Sequence, residues 1–318
     1  MMKDSRILQS SAEHAQPKAG RRVQYLKNNW VYYALLIPVL AYFLIFCYVP
    51  MYGVLIAWKR YSPALGILGS EWVGWMYFEQ FFSSVYFVRI LKNTLLLSFY
   101  GILIGFPIPI LFALLLNELR NKLFKSFVQT VSYLPHFISV VIICGMLMDF
   151  LNQDGVITMF LTFFGAEAKT WLNDPNAYRT IYIASDIWQS MGYSAIVYIA
   201  AIAGIDTQLY DAAEIDGCNT LKKMWHVTLP GIVPTITIML ILRIGSVLNV
   251  GAEKALLLYN PLTYETSDII STFVYRYGMF NANYSYGTAV GLFNSIVNIV
   301  LLVSANLICK KTTETSLW

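Results

Sequence analysis

The chain has 318 residues, of which 57% are hydrophobic, 15% aromatic and 13% charged, and its formal net charge is +4. Soluble domains carry about 25% charged residues, so these proportions argue against a soluble enzyme, a disordered chain and a nucleic-acid binder. They indicate a membrane protein that crosses the bilayer several times.

A membrane-spanning helix needs about 20 mostly apolar residues. Six segments meet this requirement, namely 32–57, 91–116, 127–151, 179–204, 231–258 and 287–309. The fourth is the least uniform, because Asp186 interrupts it. The sequence therefore predicts an all-α fold with an N-terminal tail at 1–30 and a transmembrane domain at 31–318, with both termini on one side.

The Lys and Arg residues predict which side that is. Thirteen of the 22 lie in the N-terminal tail, between the second and third spans, between the fourth and fifth, or after the sixth; eight lie on the opposite side, and Arg243 lies within the membrane. Positively charged residues accumulate on the cytoplasmic side of membrane proteins. Both termini are therefore predicted to be cytoplasmic, in a bacterial cell membrane.

The connection between the fourth and fifth spans, 205–230, is the most distinctive. A simple connector would be short and polar, whereas this one predicts two amphipathic helical turns separated at Gly217. Asp206 or Thr207 can cap the first turn, Gly217 suits a left-handed stop, and Asn219 or Thr220 can cap the second, which Pro230 is predicted to end. Such a segment either docks a soluble cytoplasmic protein or packs on its own membrane domain.

The same connection resembles the EAA signature of ABC importer permeases. It contains Asp211-Ala212-Ala213, then Asp216-Gly217, and finally Leu229-Pro230, with Asp211 in place of the usual Glu and Cys218 in place of a common Ala. Further matches to the carbohydrate-importing branch of the maltose-permease superfamily follow in order from about residue 30: Asn93-Thr94, Leu134-Pro135, Asn152-Gln153-Asp154-Gly155, Trp171-Leu172-Asn173-Asp174-Pro175, Thr272-Phe273-Val274-Tyr275 and Tyr284-Ser285-Tyr286-Gly287-Thr288-Ala289. The chain is most similar to permeases for complex oligosaccharides of the lipoprotein/polysaccharide type.

This resemblance implies a type I ABC importer permease fold whose cytoplasmic EAA segment is a coupling helix. The sequence has no phosphate-binding loop, so ATP and Mg would be bound by a separate ATPase dimer. The resemblance also implies a second, different permease subunit, an extracellular solute-binding lipoprotein and an oligosaccharide substrate. The residues implied in coupling to the ATPase are Asp211, Ala212, Ala213, Glu214, Asp216, Gly217, Leu221, Trp225, Leu229 and Pro230.

Polar groups at membrane depth usually face a cavity or a partner helix. The candidates for contact with the solute are Asp186, Trp188, Gln189, Gly192, Tyr193, Arg243, Asn249 and Glu253. The resemblance to maltose permeases implies that the region around Asn249 and the stretch from Trp188 to Gly192 line the sugar site. An ion pair with Asp186 is an alternative role for Arg243. Hydrogen bonding between helices is an alternative for Asn294 and Asn298. If Arg243 does line the cavity, it would suit acidic sugars such as uronates.

Two other classes of protein remain for comparison. A self-contained secondary sugar carrier would fit the spans, but it would leave the 205–230 segment without a role. A membrane enzyme is not supported, because the three histidines form no acid–base or ligand cluster and no cysteine pair has metal-ligand spacing. The prediction is therefore a non-catalytic subunit with no cofactor or metal of its own.

Overall fold

The computed structural model describes residues 28–312 and 316–317, so most of the predicted tail lies outside the described residues. The chain divides into two compact units, Met1–Leu55 and Ile56–Trp318. Helix α1 (Trp30–Trp58) precedes a two-stranded antiparallel hairpin, and helices dominate the rest. The elements after α1 are β1 (Lys59–Arg60), α2 (Gly66–Gly69), β2 (Glu71–Trp72), α3 (Met76–Phe82), α4 (Phe87–Asn117), α5 (Lys122–Phe137), α6 (Val140–Phe150), α7 (Val156–Phe163), α8 (Pro175–Ala203), α9 (Thr207–Ile215), α10 (Thr220–Gly245), α11 (Ala252–Leu258), α12 (Tyr264–Ser267), α13 (Ile270–Phe273) with a π-helical continuation (Val274–Phe280), and α14 (Tyr284–Thr312).

Four of these helices, α1, α4, α10 and α14, are individually long and apolar enough to cross a membrane. The pairs α5–α6 and α8–α9 meet the same requirement together, although they bend by 98° and 73° respectively. If each bent pair is one span, the described residues contain six, which agrees with the predicted all-α, six-span architecture.

The predicted third span, 127–151, is not one straight helix. The chain turns at Ile138, which has extended backbone angles, and the Ser139 side chain then accepts a hydrogen bond from Val141 N to begin α6. Pro135 lies just before this turn and has no N–H with which to continue the helical hydrogen bonding. The apolar run is therefore divided into two helices.

The predicted fifth span, 231–258, is also divided. Helix α10 ends at Gly245, an irregular segment covers 246–251, and α11 completes the apolar run. Ser246, Asn249 and Gly251 all have lower helix propensity than Ala or Leu. Hydropathy alone could not show this break, because the irregular segment is flanked by apolar residues on both sides.

Helix α8 is central to the packing, since it contacts α4, α5, α10 and α12. It lies very close to α5 at Gly192, which is buried. A Cβ at this position would overlap the backbone carbonyl of Ser132. The two helices can lie this close only because residue 192 has no side chain.

A buried carboxylate joins α4 to the segment around α13. Asp268 is fully buried, accepts hydrogen bonds from Arg276 Nη2 (2.6 Å) and Thr272 Oγ1 (2.8 Å), and lies 3.8 Å from Arg89 Nη2. Asn93 of α4 donates to its backbone carbonyl at 3.0 Å. Charged and polar partners from several segments thus neutralise and hold one buried Asp.

Replacing Gly192 with alanine is expected to force α5 and α8 apart and to destabilise the protein by about 1–3 kcal/mol, because the added methyl group has no space. The measurement is the melting temperature of the purified protein in detergent. Gly145→Ala is the matched control, since a Cβ there meets nothing within 4 Å. Equal melting temperatures for the two variants would contradict the close contact.

Replacing Asp268 with asparagine is expected to lower stability by about 3–5 kcal/mol, because it leaves Arg276 without its buried counter-charge. Glu71→Gln breaks the exposed Arg60–Glu71 pair instead and should cost less than about 1 kcal/mol. Thermal unfolding of both variants measures the difference. A similar loss in each would mean that the Asp268 pair has no special structural role.

Candidate functional site

The 205–230 connection, called here the coupling segment, begins with the capped turns that its sequence predicts. Asp206 Oδ1 accepts from Gln208 N (3.0 Å) at the start of α9, and Asn219 Oδ1 accepts from Lys222 N (2.9 Å) at the start of α10. Gly217 lies between them with a φ of +73°. The predicted left-handed conformation of Gly217 is confirmed, and Asp206 and Asn219 are the predicted candidates that cap the two helices.

The prediction that Pro230 ends the second helix is wrong. Helix α10 runs without interruption from Thr220 to Gly245, through a π-helical turn at Met224–Thr228. This wider turn lies just before Pro230, at the place where the proline ring would otherwise crowd the preceding turn. The second arm of the coupling segment, which begins at Thr220, and the following span are therefore one continuous helix.

Few contacts hold the two arms of the coupling segment together. Tyr210 OH lies 3.0 Å from Thr228 Oγ1, Lys223 Nζ lies 3.2 Å from Glu214 Oε2, and Ala213 is buried. The other predicted coupling residues are exposed or, for Leu229, half-buried: Asp211, Ala212, Asp216, Gly217, Leu221, Trp225, Leu229 and Pro230. Ile215, which was not among the predicted residues, is 87% exposed. A self-packed loop would bury its large apolar side chains, so this arrangement favours a docking surface.

The break at 246–251 leaves backbone groups without helical partners. Irregular backbone is tolerated within a membrane only where protein or a polar cavity satisfies it. Side chains from α4, α8 and α14 supply three of these partners. The bonds are Ser98 Oγ to Val247 O, Tyr182 OH to Gly251 O (3.1 Å), and Leu248 N to Asn298 Oδ1 (3.0 Å).

The Asn249 side chain at this break is held by two other asparagines. Its Oδ1 accepts from Asn294 Nδ2 (2.9 Å) and from Asn298 Nδ2 (3.4 Å) of α14. Asn294 and Asn298 therefore make hydrogen bonds between segments, the alternative role predicted for them, and their partners are residues of the break. Asn249 itself remains exposed, so its side-chain amide N–H groups are available to a ligand.

Two neighbouring cavities, of about 290 and 370 Å³, lie between α4, α8 and α10. Both are lined by Asp186, Arg243 and Ser246. The first extends to the break and includes Ser98, Tyr182, Asn249 and Gly251, whereas the second extends along α4 and α8 to Pro109, Ser194 and Tyr198. The cavities thus form a mostly continuous groove along three helices, with charged groups where they meet.

The charges at this junction are paired differently from the sequence-based hypothesis. Among the described residues, Asp186 pairs with Lys254 (3.9 Å), whereas Arg243 has no ion-pair partner. Lys254 is only 3% exposed, and its ammonium also donates to Tyr182 O (3.1 Å). Arg243 lies in the last turn of α10, beside the break, and within the described part of the chain no carboxylate lies at ion-pair distance from its guanidinium.

The structure separates the eight predicted solute contacts. Asp186, Arg243 and Asn249 meet in the first cavity. The remaining five lie elsewhere. Gln189 donates to Ile138 O (3.5 Å), Tyr193 stacks on His136 (3.9 Å between centroids), Gly192 packs on α5, Trp188 lines a separate apolar pocket, and Glu253 is exposed in the first turn of α11.

Sequence reasoning missed Lys254, Tyr182 and Ser98. Lys254 is one of the eight Lys and Arg residues predicted on the side opposite the termini, because it lies near the end of the predicted span 231–258, although the apolar residues around it indicate burial. Ser98 and Tyr182 carry no signal in the sequence, since hydroxyl groups are common in membrane helices. Their role depends on backbone partners at the break, which lie 149 residues from Ser98 and 69 residues from Tyr182 in the chain.

Comparisons with known proteins identify the family of the chain. Residues 105–314 match the family described as binding-protein-dependent transport system inner membrane component. Protein LplB of Bacillus subtilis (strain 168) is 44% identical over 305 residues, covering 94% of this chain and 96% of LplB. From the same organism, the polygalacturonan/rhamnogalacturonan transport system permease protein YteP is 45% identical over 287 residues, covering 90% and 89%.

A solved structure extends this similarity to three dimensions. In the crystal structure of a bacterial ABC transporter involved in the import of the acidic polysaccharide alginate, one chain is 43% identical, with a TM-score of 0.85, and the match covers 92% of this chain and 99% of that one. The residues matched by the family include the coupling segment and the helices α8 and α10, which line both cavities. The chain therefore belongs to the binding-protein-dependent transport system inner membrane components, the permease subunits of ABC importers.

Proposed function

We propose that this chain forms half of the membrane pathway for an oligosaccharide in an ATP-driven importer. The observation that carries this proposal is the polar groove between α4, α8 and α10, since helix α10 extends from the groove to an exposed coupling segment. Asn249, Ser246 and Tyr182 place amide and hydroxyl groups where sugar hydroxyls could bind. The names of YteP and of the alginate transporter support a saccharide as the solute.

The coupling segment is proposed to dock on a separate cytoplasmic ATPase, which would bind ATP and Mg. Its exposed apolar side chains, among them Ile215 (87%) and Trp225 (60%), are surrounded by charged residues, as in a surface that recognises a soluble protein. Helix α10 has 26 residues and is therefore about 39 Å long. A displacement of the coupling segment would be carried along this helix to Arg243 and the break at its other end.

The remaining partners follow from the same proposal. A second, different permease subunit would close the open side of the groove, and a solute-binding lipoprotein outside the cell would deliver the oligosaccharide. The family description supports dependence on a binding protein. The predicted excess of Lys and Arg on the side of the coupling segment supports cytoplasmic termini. The tail at 1–30 and the domain at 31–318 are part of this proposal.

Vesicles that contain the whole transporter are expected to take up labelled oligosaccharide only when ATP and the ATPase are present, because ATP hydrolysis, and not an ion gradient, is proposed to drive import. The measurement is uptake with and without ATP, and with this chain alone. Solute movement by this chain alone would contradict the proposal and would favour a secondary carrier.

Replacing Gly217 with valine is expected to lower uptake by about tenfold while ATP hydrolysis continues, since a left-handed conformation costs a residue with a Cβ about 1–2 kcal/mol. No atom lies within 4 Å of a Cβ placed there, so the effect would come from the backbone. Uptake and hydrolysis are measured on the same vesicles.

Gly217→Asn is the matched control, because asparagine enters the left-handed region more readily. We expect it to retain most of the uptake. If valine and asparagine impair uptake equally, or if valine has no effect, the turn at Gly217 does not transmit the action of the ATPase.

A further inference from the structure

The guanidinium of Arg243 lies at the point that both cavities share. Its Nη2 atom lies 3.4 Å from the position that a Cβ of Gly101 would occupy, so it extends from α10 toward α4. The side chain is exposed and lines the first and second cavities alike. Arg243 shares this position with Asp186 and Ser246, the other two residues that line both cavities.

The neighbouring charges do not neutralise Arg243. Asp186 is the one carboxylate that lines either cavity within the described part of the chain, and its ion pair is with Lys254. Lys254 is fixed in this role because it is buried and donates to Tyr182 O. The junction of three ionised groups therefore has an excess of one positive charge, which is located on Arg243.

The chemistry of this group indicates which ligand it would bind. A guanidinium presents N–H donors in a planar fork that matches both oxygens of a carboxylate. In a cavity partly shielded from water, such a pair is stronger than at a surface. The nearby Asn249 amide and Ser246 hydroxyl can bind sugar hydroxyls but add no charge of their own.

We propose that Arg243 selects acidic oligosaccharides by binding the carboxylate of a uronic acid unit as it passes between the two cavities, with Lys254 as a positioning residue that keeps Asp186 from occupying the guanidinium. This inference rests on the proposed function and specifies its substrate class. It differs from a structural role, in which Arg243 would pair with a carboxylate of the second permease subunit.

The test uses the complete transporter in vesicles. The probes are tetrasaccharides of galacturonate and of mannuronate, each compared with the same tetrasaccharide after its carboxylates have been reduced to alcohols. The readout is the ratio of acidic to neutral uptake at equal concentration. In the native transporter this ratio is expected to exceed one, and Arg243→Gln is expected to lower it by about tenfold, because it removes a charge-assisted bond.

Two further variants separate charge from geometry. Arg243→Lys keeps the charge but lacks the planar fork, so its ratio should lie between those of the native and Gln forms. Arg60→Gln is the control, since Arg60 is an exposed arginine paired with Glu71 and lines neither cavity. It should keep the native ratio.

Each other outcome rejects part of the scheme. A native transporter that imports only the neutral sugars would overturn the assignment of Arg243 while leaving oligosaccharide import intact, whereas import of no saccharide would overturn the proposed function itself. A native ratio in Arg243→Gln would also overturn the assignment. A third result would overturn it as well: Arg243→Gln fails to assemble with the second permease subunit, whereas Arg243→Lys assembles and keeps the native uptake ratio. The partner of Arg243 would then be a carboxylate of the protein and not of the solute.

Discussion

The structure depends on one requirement, that every backbone N–H and C=O at membrane depth has a partner. The segment 246–251 departs from helical hydrogen bonding, and three side chains on three other helices replace the missing partners. This fixes α4, α8 and α14 around the end of α10. The break also lines the first cavity, where its residues Ser246, Asn249 and Gly251 face the space between the helices.

The features that depend on local sequence were predictable. Apolar runs define the six spans, and the caps at Asp206 and Asn219 and the conformation of Gly217 follow from the chemistry of single side chains. The bend at Ile138 has local signals in Pro135 and Ser139, but the continuous apolar run hides them. The break at 246–251 was not predictable, because the side chains that hydrogen-bond to its backbone lie 50 or more residues away in the chain. Pro230 was misjudged for a related reason, since the π-helical turn that accommodates it has no clear sequence signal.

The polar site shows the same difference between what single residues predict and what depends on contacts distant in the chain. Residue type was sufficient to single out Asp186, Arg243 and Asn249 as costly groups at membrane depth, and these three share a cavity. Pairing could not be inferred, because it depends on the position of α11 after the break, where Lys254 Nζ lies 3.9 Å from Asp186 Oδ1 and Arg243 is left without an ion-pair partner among the described residues. The five other candidates on α8 and α11 rest on their residue type at membrane depth and on the resemblance to maltose permeases, and neither says which face meets a neighbouring helix.

The groove between α4, α8 and α10 has a consequence for biosynthesis. In the proposed assembly, its charged and amide groups are covered only after the second permease subunit has joined. A surplus copy of this chain would present those groups to lipid tails, which cannot hydrate them. Such orphan copies would be prone to degradation by membrane proteases, so the cell would gain from producing the two permease chains in matched amounts, for example from one transcript.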